Sequence, residues 1–281
     1  MRLIRFGAAG SEKPGIVDAD DRVRDVSHVA ADYCGDGLSP EALDKLRQLD
    51  PASLPVVASG VRIGPPVGYV RNFIGIGLNY ADHAAEAGLR IPREPVIFNK
   101  SGNCIVGPND DVMMPRDCQK LDWEVELAFV IGKRARYVEE AEAVSYIAGY
   151  CICNDVSERH FQTERSGQWT KGKCCETFGP LGPWLVTPDA LDIDNLSLWL
   201  EVNGERRQTG STASMIFKIP YTLAYVSQFM VLEPGDVITT GTPPGVALGM
   251  EEPKWLQAGD MMRLGVDGLG EQQQTVVTFQ S

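Results

Sequence analysis

Histidine is scarce in this 281-residue chain: His28, His83 and His160 stand against 38 Asp and Glu. Any metal site must therefore be built mostly from oxygen, which favours magnesium, manganese or calcium over zinc or copper. No Cys-x-x-Cys pair occurs, and the seven cysteines are odd in number and include the adjacent Cys174-Cys175. That pattern speaks against a structural zinc or a disulfide framework, so the thiols are expected to be reduced. Cationic charge is short as well, with 26 Lys and Arg and a net charge of −12. A nucleic-acid or anionic-membrane partner would need a basic footprint instead. Any anionic substrate must be gathered by local cations. No apolar run approaches a membrane span, and Met1-Arg2-Leu3-Ile4-Arg5-Phe6 lacks the apolar stretch of a signal peptide, so the cytoplasm is the expected compartment.

What is present begins with a small module over residues 1–66. Leu3-Ile4-Arg5-Phe6, Gly15-Ile16-Val17 and Arg22 to Val26 read as short strands separated by turn residues. A helix follows, with Ser39 as N-cap, Pro40 in the first helical position and Leu43, Leu46 and Leu49 on one face, until Asp50-Pro51 stops it. Gly64-Pro65-Pro66 marks the expected boundary with a larger domain over 67–281.

The stretch around which that larger domain is organised runs from Leu121 to Ile131. Acids alternate with apolar residues, so a strand would turn Asp122, Glu124 and Glu126 to one face and Trp123, Val125 and Leu127 to the other. Residues two apart on a strand lie about 6.8 Å apart at the backbone, near enough for Glu side chains to converge on one cation. The plain alternative is a half-solvated antiparallel strand whose acidic face meets water.

Upstream, Phe73-Ile74-Gly75-Ile76-Gly77 reads as a buried strand that another group approaches closely. The alanine-rich segment 78–88 follows as a helix of two turns, with His83 and Glu86 three apart on one face. A carboxylate there can orient an imidazole and raise its basicity, as in a general base, although a surface His beside a surface Glu has the same spacing. Residues 88–95 form a loop that would let this helix act as a lid. Downstream, Val138 to Tyr146 reads as a helix and Ala148 to Cys153 as a buried strand ending in Asn154-Asp155-Val156-Ser157. Ser157 is placed to cap a helix from Glu158 to Glu164, and Asp155 is either a ligand at a strand end or another cap. Arg159 and Gln162 share a face of that helix, and with Lys171 and Lys173 they form a basic patch, or simply balance surface acids. The remainder is rich in strands, with hairpin turns at Asn203-Gly204 and Asp267-Gly268 and a helix from Ile219 to Met230. Gly241-Thr242-Pro243-Pro244-Gly245 is a loop without the Gly-Lys-Ser/Thr ending of a phosphate loop. The pattern is α+β or mainly β.

Five segments in order resemble the fumarylacetoacetate hydrolase superfamily: Gly-Leu-Asn-Tyr-x-x-His-x-x-Glu at 77–86, Asp-Trp-Glu-Val-Glu-Leu at 122–127, Asn-Asp-Val-Ser-x-Arg-x-x-Gln at 154–162, Trp-Thr-Lys-Gly-Lys at 169–173 and Thr-Gly-Thr-Pro-x-Gly-Val at 240–246. The resemblance runs from about Phe73 to the C-terminus. It implies an α+β fold with a mixed β-roll or sandwich catalytic domain, a homodimer, and Mg²⁺ or Mn²⁺ held by Glu124, Glu126 and Asp155. It also implies that His83 with Glu86 activates water from a lid, that Arg159 and Lys173 meet the substrate's acidic end or developing charge, and that Gln162 and Thr242 line the substrate site. Within the superfamily the His-x-x-Glu pair is similar to that of acylpyruvate and 2,4-diketo acid hydrolases. The implied reaction is C–C cleavage to pyruvate and a carboxylic acid, with a 2,4-diketo-3-deoxy sugar acid such as the rhamnonate or fuconate derivative as one substrate guess.

The sequence departs from the family at Lys173-Cys174-Cys175-Glu176-Thr177, where many relatives read Lys-Ser-Phe-Asp-Thr, and at Ala247, where a further glycine is frequent. With no histidine beside Cys174 and Cys175 in sequence, a thiol nucleophile is not expected there. Two other readings stay open: a decarboxylase, isomerase or lyase using the same metal-assisted enolisation, for example on oxaloacetate, and a metal-dependent binding protein without turnover.

Overall fold

A computed structural model describes residues 1–82 and 90–280 of the chain. His83 and Glu86 lie outside the described residues. Among those described, the strands form an eleven-stranded mixed sheet, a five-stranded sheet and a two-stranded ladder, with few helices. The α+β expectation holds.

The centre of the large sheet is the strand Val125–Ile131, every residue of which is buried. It pairs antiparallel with Ile147–Asn154 on one side and with Val237–Thr239 on the other. Val237–Thr239 in turn pairs parallel with Phe73–Gly77, which carries Val96–Lys100 on its far side. Both faces of this strand are covered, and even Glu126 is buried, so the half-solvated alternative for the acidic stretch fails. The stretch is not one strand either. Leu121–Asp122 forms its own ladder with Ser157–Glu158, and the chain breaks register at Trp123 and Glu124 before Val125 joins the main sheet.

The N-terminal segment extends this sheet. Arg2–Phe6 pairs antiparallel with Gly179–Val186, Arg2 opposite Val186, and Lys13–Val17 and Val23–Asp25 continue outward. The helix Pro40–Arg47 forms as its signals indicate: the Ser39 side chain accepts from the Ala42 amide, and Leu43 and Leu46 are buried.

The smaller sheet runs Glu205–Ser211, Ser197–Val202, Met261–Val266, Gly270–Val277 and Val112–Met113. Leu198, Leu200 and Val202 point into the core, and Asn203 and Gly204 turn the hairpin with φ of 53° and 78°. Polar side chains cross between the two sheets. Gln272 donates to the carbonyls of Ile152 (3.0 Å) and Gly182 (2.9 Å), and Asn154 donates to Gln274 (3.0 Å). Buried amides must be paired, so these bonds fix how one sheet sits on the other.

Three helix expectations change. Residues Glu140–Tyr146 form a 3₁₀ helix. The helix from Ile219 ends at Val226. The helix expected over 158–164 is a two-residue strand followed by a π-helical turn over His160–Glu164. Ser157 does not cap it, because its hydroxyl donates to the carbonyl of Asp155 (2.9 Å), while the carboxylate of Glu158 takes the Phe161 amide (2.5 Å).

Candidate active site

Register explains why the carboxylates meet. Across the antiparallel pair, Val125 opposes Asn154 and Glu126 opposes Cys153, so the next position outward sets Glu124 against Asp155. Directly opposed residues share a face. The Asp155 amide donates to the Glu124 carbonyl (2.9 Å), and the Glu124 amide to the Asn154 side chain (3.1 Å), which holds the strand ends together. Glu124, Glu126 and Asp155 are all buried, and each offers an oxygen within 4.8 Å of the others. Three buried carboxylates at that spacing fit a hard divalent cation such as Mg²⁺ or Mn²⁺.

Cations surround the cluster. Lys173 Nζ lies 2.7 Å from Glu124 Oε2 and 2.7 Å from Asp155 Oδ2. Arg159 reaches Glu124 Oε1 (2.6 Å), Asp122 Oδ2 (2.8 Å) and the Gln162 side chain (2.9 Å). Lys100, a residue that sequence reasoning missed, is fully buried and donates to Asp155 Oδ1 (2.6 Å) and to the carbonyls of Lys173 (2.6 Å) and Phe178 (3.0 Å). Burial acts against the Lys100 charge, but Asp155 outweighs it and raises the ammonium's pKa. Arg159 is held charged in the same way, burial being overcome by Glu124 and Asp122. Glu126 goes the other way: burial, then the charges of Asp155 and Glu124, push its carboxyl well above the usual range.

Asp122 does not join the three. Its carboxylate accepts from the amides of Trp123 (2.9 Å), Ala247 (2.8 Å) and Leu248 (3.1 Å) as well as from Arg159. It therefore anchors the arginine and the 240–249 loop. That loop reaches the cluster through Gly241, whose amide donates to Glu126 Oε2 (2.9 Å) at φ 87°. A Cβ at Gly241 would lie 2.9 Å from the Asn79 Cβ and 3.0 Å from the Ile76 carbonyl, so the approach requires glycine. Thr242 lines the site, but its hydroxyl donates to the Val125 carbonyl (2.9 Å) and accepts from Gln208 (2.7 Å). Gln208 also accepts from the Val125 amide (2.9 Å), clamping the loop to the strand between the two glutamates.

Glu124 and Glu126 lie at the floor of a small cleft whose walls include Leu78, Phe98, Gln162, Trp169, Thr242 and Leu248. The segment entering the cleft from Gly77 is pinned by Asn79, which donates to the carbonyls of Thr240 (2.8 Å) and Phe217 (3.0 Å). Leu78 is held at φ 56°, a left-handed conformation costly for leucine and placed at the cleft wall. The structure thus brings Glu124, Glu126, Asp155, Arg159, Gln162, Lys173 and Thr242 into one place. Cys174 and Cys175 stand beside it, each thiol raised by burial, that of Cys175 to about 11, which disfavours a thiolate nucleophile. All seven cysteines are free, and no helix among the described residues is long and apolar enough to cross a membrane.

Residues 72–277 match the family model for the C-terminal domain of fumarylacetoacetate hydrolase. The chain is 57% identical over 276 residues to a Burkholderia lata protein designated a hydrolase without further specification, covering 98% of both. Among solved structures it is similar to a 5-carboxymethyl-2-hydroxymuconate delta-isomerase from Mycobacterium smegmatis (TM-score 0.78, 32% identity, all of both chains). It is also similar to a maleylpyruvate hydrolase from Sphingobium sp. in complex with manganese(II) and pyruvate (TM-score 0.82, 28% identity, all of both chains).

Proposed function

This chain belongs to the fumarylacetoacetate hydrolase family, and from that premise we propose that it is a metal-dependent hydrolase cleaving the C3–C4 bond of a 2,4-diketo acid to pyruvate and a carboxylic acid. The observation that carries the reading is the buried trio Glu124, Glu126 and Asp155, with Lys173 bridging Glu124 and Asp155 at the floor of a cleft. The Sphingobium relative, with manganese and pyruvate bound, supports the same metal class and product.

Bound by the three carboxylates, Mg²⁺ or Mn²⁺ would supply positive charge to the carboxylate and 2-oxo oxygens of a keto acid as its C–C bond breaks. The protein's own groups do the rest. Arg159, fixed by Asp122 and Gln162, turns the Glu124 carboxylate and keeps a positive charge beside the substrate's acidic end. Lys173 Nζ, 2.7 Å from both Glu124 and Asp155, is placed to stabilise the oxyanion or to donate a proton to the departing carbon. The proton of the attacking water goes to His83, oriented by Glu86, on the strength of their spacing in the sequence. A homodimer is the assembly this reading expects, measurable by light scattering.

Incubating the purified protein with Mg²⁺ or Mn²⁺ and a panel of acylpyruvates and diketo sugar acids tests the assignment. Pyruvate release that disappears with a chelator is the expected result; no pyruvate from any member overturns it. The isomerase among its relatives keeps a second reading open, in which enolisation proceeds without attack by water. His83→Ala separates them: hydrolysis should collapse by about 10²- to 10⁴-fold, whereas tautomerisation or decarboxylation should largely survive.

A further inference from the structure

We propose that the substrate's far end is uncharged and apolar, an acylpyruvate with an alkyl or aryl tail instead of a second carboxylate or a polyhydroxylated chain; this rests on the diketo acid hydrolase reading above. Away from the charged floor the described wall is Ile76, Leu78, Phe98, Trp169 and Leu248, with Gln162, Thr163 and Thr242 as its polar members, the Thr242 hydroxyl already paired to Val125 and Gln208.

The two rings are built into place. Gly75 lies directly opposite Phe98 in the sheet, and any side chain on it would overlap the Phe98 ring. A Cβ on Gly77 would lie 2.6 Å from Trp169 Cζ3. The alternate glycines of Phe73–Gly77 therefore leave room for a tilted pair of aromatic rings, their centroids 5.5 Å apart, packed onto the strand. Phe98 also lies under the Lys173 ammonium, 5.1 Å from Nζ to the ring centroid, so the aromatic wall begins where the charged floor ends.

The described cations of the cleft are already matched. Arg159 faces Asp122 and Glu124, and Lys173 faces Glu124 and Asp155, all within 2.6–2.8 Å. Maleylpyruvate, named for one relative, carries a second carboxylate. Here such a group would leave water beside rings and leucines with no described cation to receive it, which is costly. The hydroxyls of a diketo sugar acid would lose water for few partners. An apolar tail loses nothing and gains contact with both rings.

A matched pair of substrates tests this with the full chain and Mn²⁺. 2,4-Dioxooctanoate and water would give pyruvate and pentanoate; 2,4-dioxooctanedioate, which ends in a carboxylate instead of a methyl, would give pyruvate and glutarate. The expected kcat/KM favours the methyl-ended acid by about tenfold or more, with the diketo-3-deoxy fuconate derivative below it. Equal or faster turnover of the diacid or the sugar acid overturns the proposal while the hydrolase reading stands; no pyruvate from any of them removes the hydrolase reading and this inference with it. Two variants locate the cause. Trp169→Ala should shrink the preference mainly through KM, and Leu248→Arg, at the exposed edge of the cleft, should move the ratio toward the diacid. A preference unmoved in both variants would remove these walls as its source.

Discussion

Two carboxylate clusters in this molecule use the same residue types to opposite ends. Near the N-terminus, Asp18 accepts from the amides of Asp20 and Arg22 (2.9 Å each), from Arg24 Nε (2.7 Å) and from Arg22 Nε (3.2 Å). Burial opposes its charge, but these donors outweigh it and hold the carboxyl well below the usual carboxylate range. In the cleft, Glu126 accepts from Gly241 and faces Asp155 and Glu124, and its carboxyl is pushed up. Counting the cleft's buried charges, Asp122, Glu124, Glu126 and Asp155 stand against Lys100, Arg159 and Lys173. The first cluster is complete as the chain folds. The second sets four carboxyl groups against three cations, an arrangement that a divalent cation would balance.

Removing one carboxyl from the cleft's set should have the largest effect. Glu126→Gln keeps the shape and an acceptor for the Gly241 amide but removes a ligand and a charge. Activity should fall roughly a thousandfold or more, the equivalent of several kcal/mol of metal-derived stabilisation. The metal-free protein should melt no lower than wild type, and calorimetric titration with Mn²⁺ should show weakened binding. Unchanged metal affinity would mean that the two clusters do not differ as described.

Lys100→Met comes next. It strips a fully buried cation from Asp155 Oδ1 and leaves the carbonyls of Lys173 and Phe178 without their donor. Breaking one side of a buried pair costs about 3–5 kcal/mol, readable by denaturant unfolding. Loss of a group that orients a ligand should also lower metal affinity by about 10- to 100-fold. A variant with wild-type metal affinity would reduce Lys100 to a packing role.

Dependence on pH separates the clusters by sign. The folded Glu126 pKa is raised, so its contribution to stability is complete below the ordinary Glu value of 4.5 and is lost as pH climbs through the folded value. Metal-free protein should therefore lose stability as pH rises through that window, and Glu126→Gln should flatten the loss. For Asp18 the pKa is lowered, so its contribution is present above the ordinary Asp value of 3.8 and is lost as pH falls toward the folded value. Thermal melts against pH, with and without Mn²⁺, measure both; a wild-type curve without the upper loss would contradict the strained state of Glu126.

The difference between the clusters is only partly written in linear sequence. Glu124 and Glu126 were legible because a strand's period puts them on one face, and Asp155 because it follows a buried strand. The strand period alone did not separate Asp122 from the two glutamates, although the family resemblance had left it out, since the register break at Trp123–Glu124 comes from the ladder with Ser157–Glu158, a long-range pairing. Lys100 had a faint signal, a lysine ending the apolar strand Val96–Lys100, but its partner is 55 residues away. Gln208 had none: it sits among polar residues in Glu205–Ser211, and its importance arises only when the second sheet packs on the first. The π turn over His160–Glu164 follows from Glu158 taking the Phe161 amide, which a capping rule applied to Ser157 cannot anticipate.

The smallest expected effect falls on the balanced cluster and completes the comparison. Asp18→Asn removes the charge that Arg22 and Arg24 meet and weakens the turn that links Lys13–Val17 to Val23–Asp25. That turn lies on the outer strands of the sheet, with Arg2–Phe6 and Gly179–Val186 between it and the strands that carry Glu126 and lead to Asp155. Melting temperature should fall, while kcat/KM on an acylpyruvate stays within about twofold, as for a substitution remote from the chemistry. A neutral residue is tolerated at position 18 only as far as the arginines can turn to water, and Arg24, buried against the Leu54 carbonyl (2.9 Å), cannot do so freely. The loss should therefore track Arg24: Arg24→Met combined with Asp18→Asn should recover part of the stability lost by Asp18→Asn alone, since the buried charge is then gone from both sides. No such rescue is expected at Glu126, which faces the carboxylates of Asp155 and Glu124 instead of an arginine.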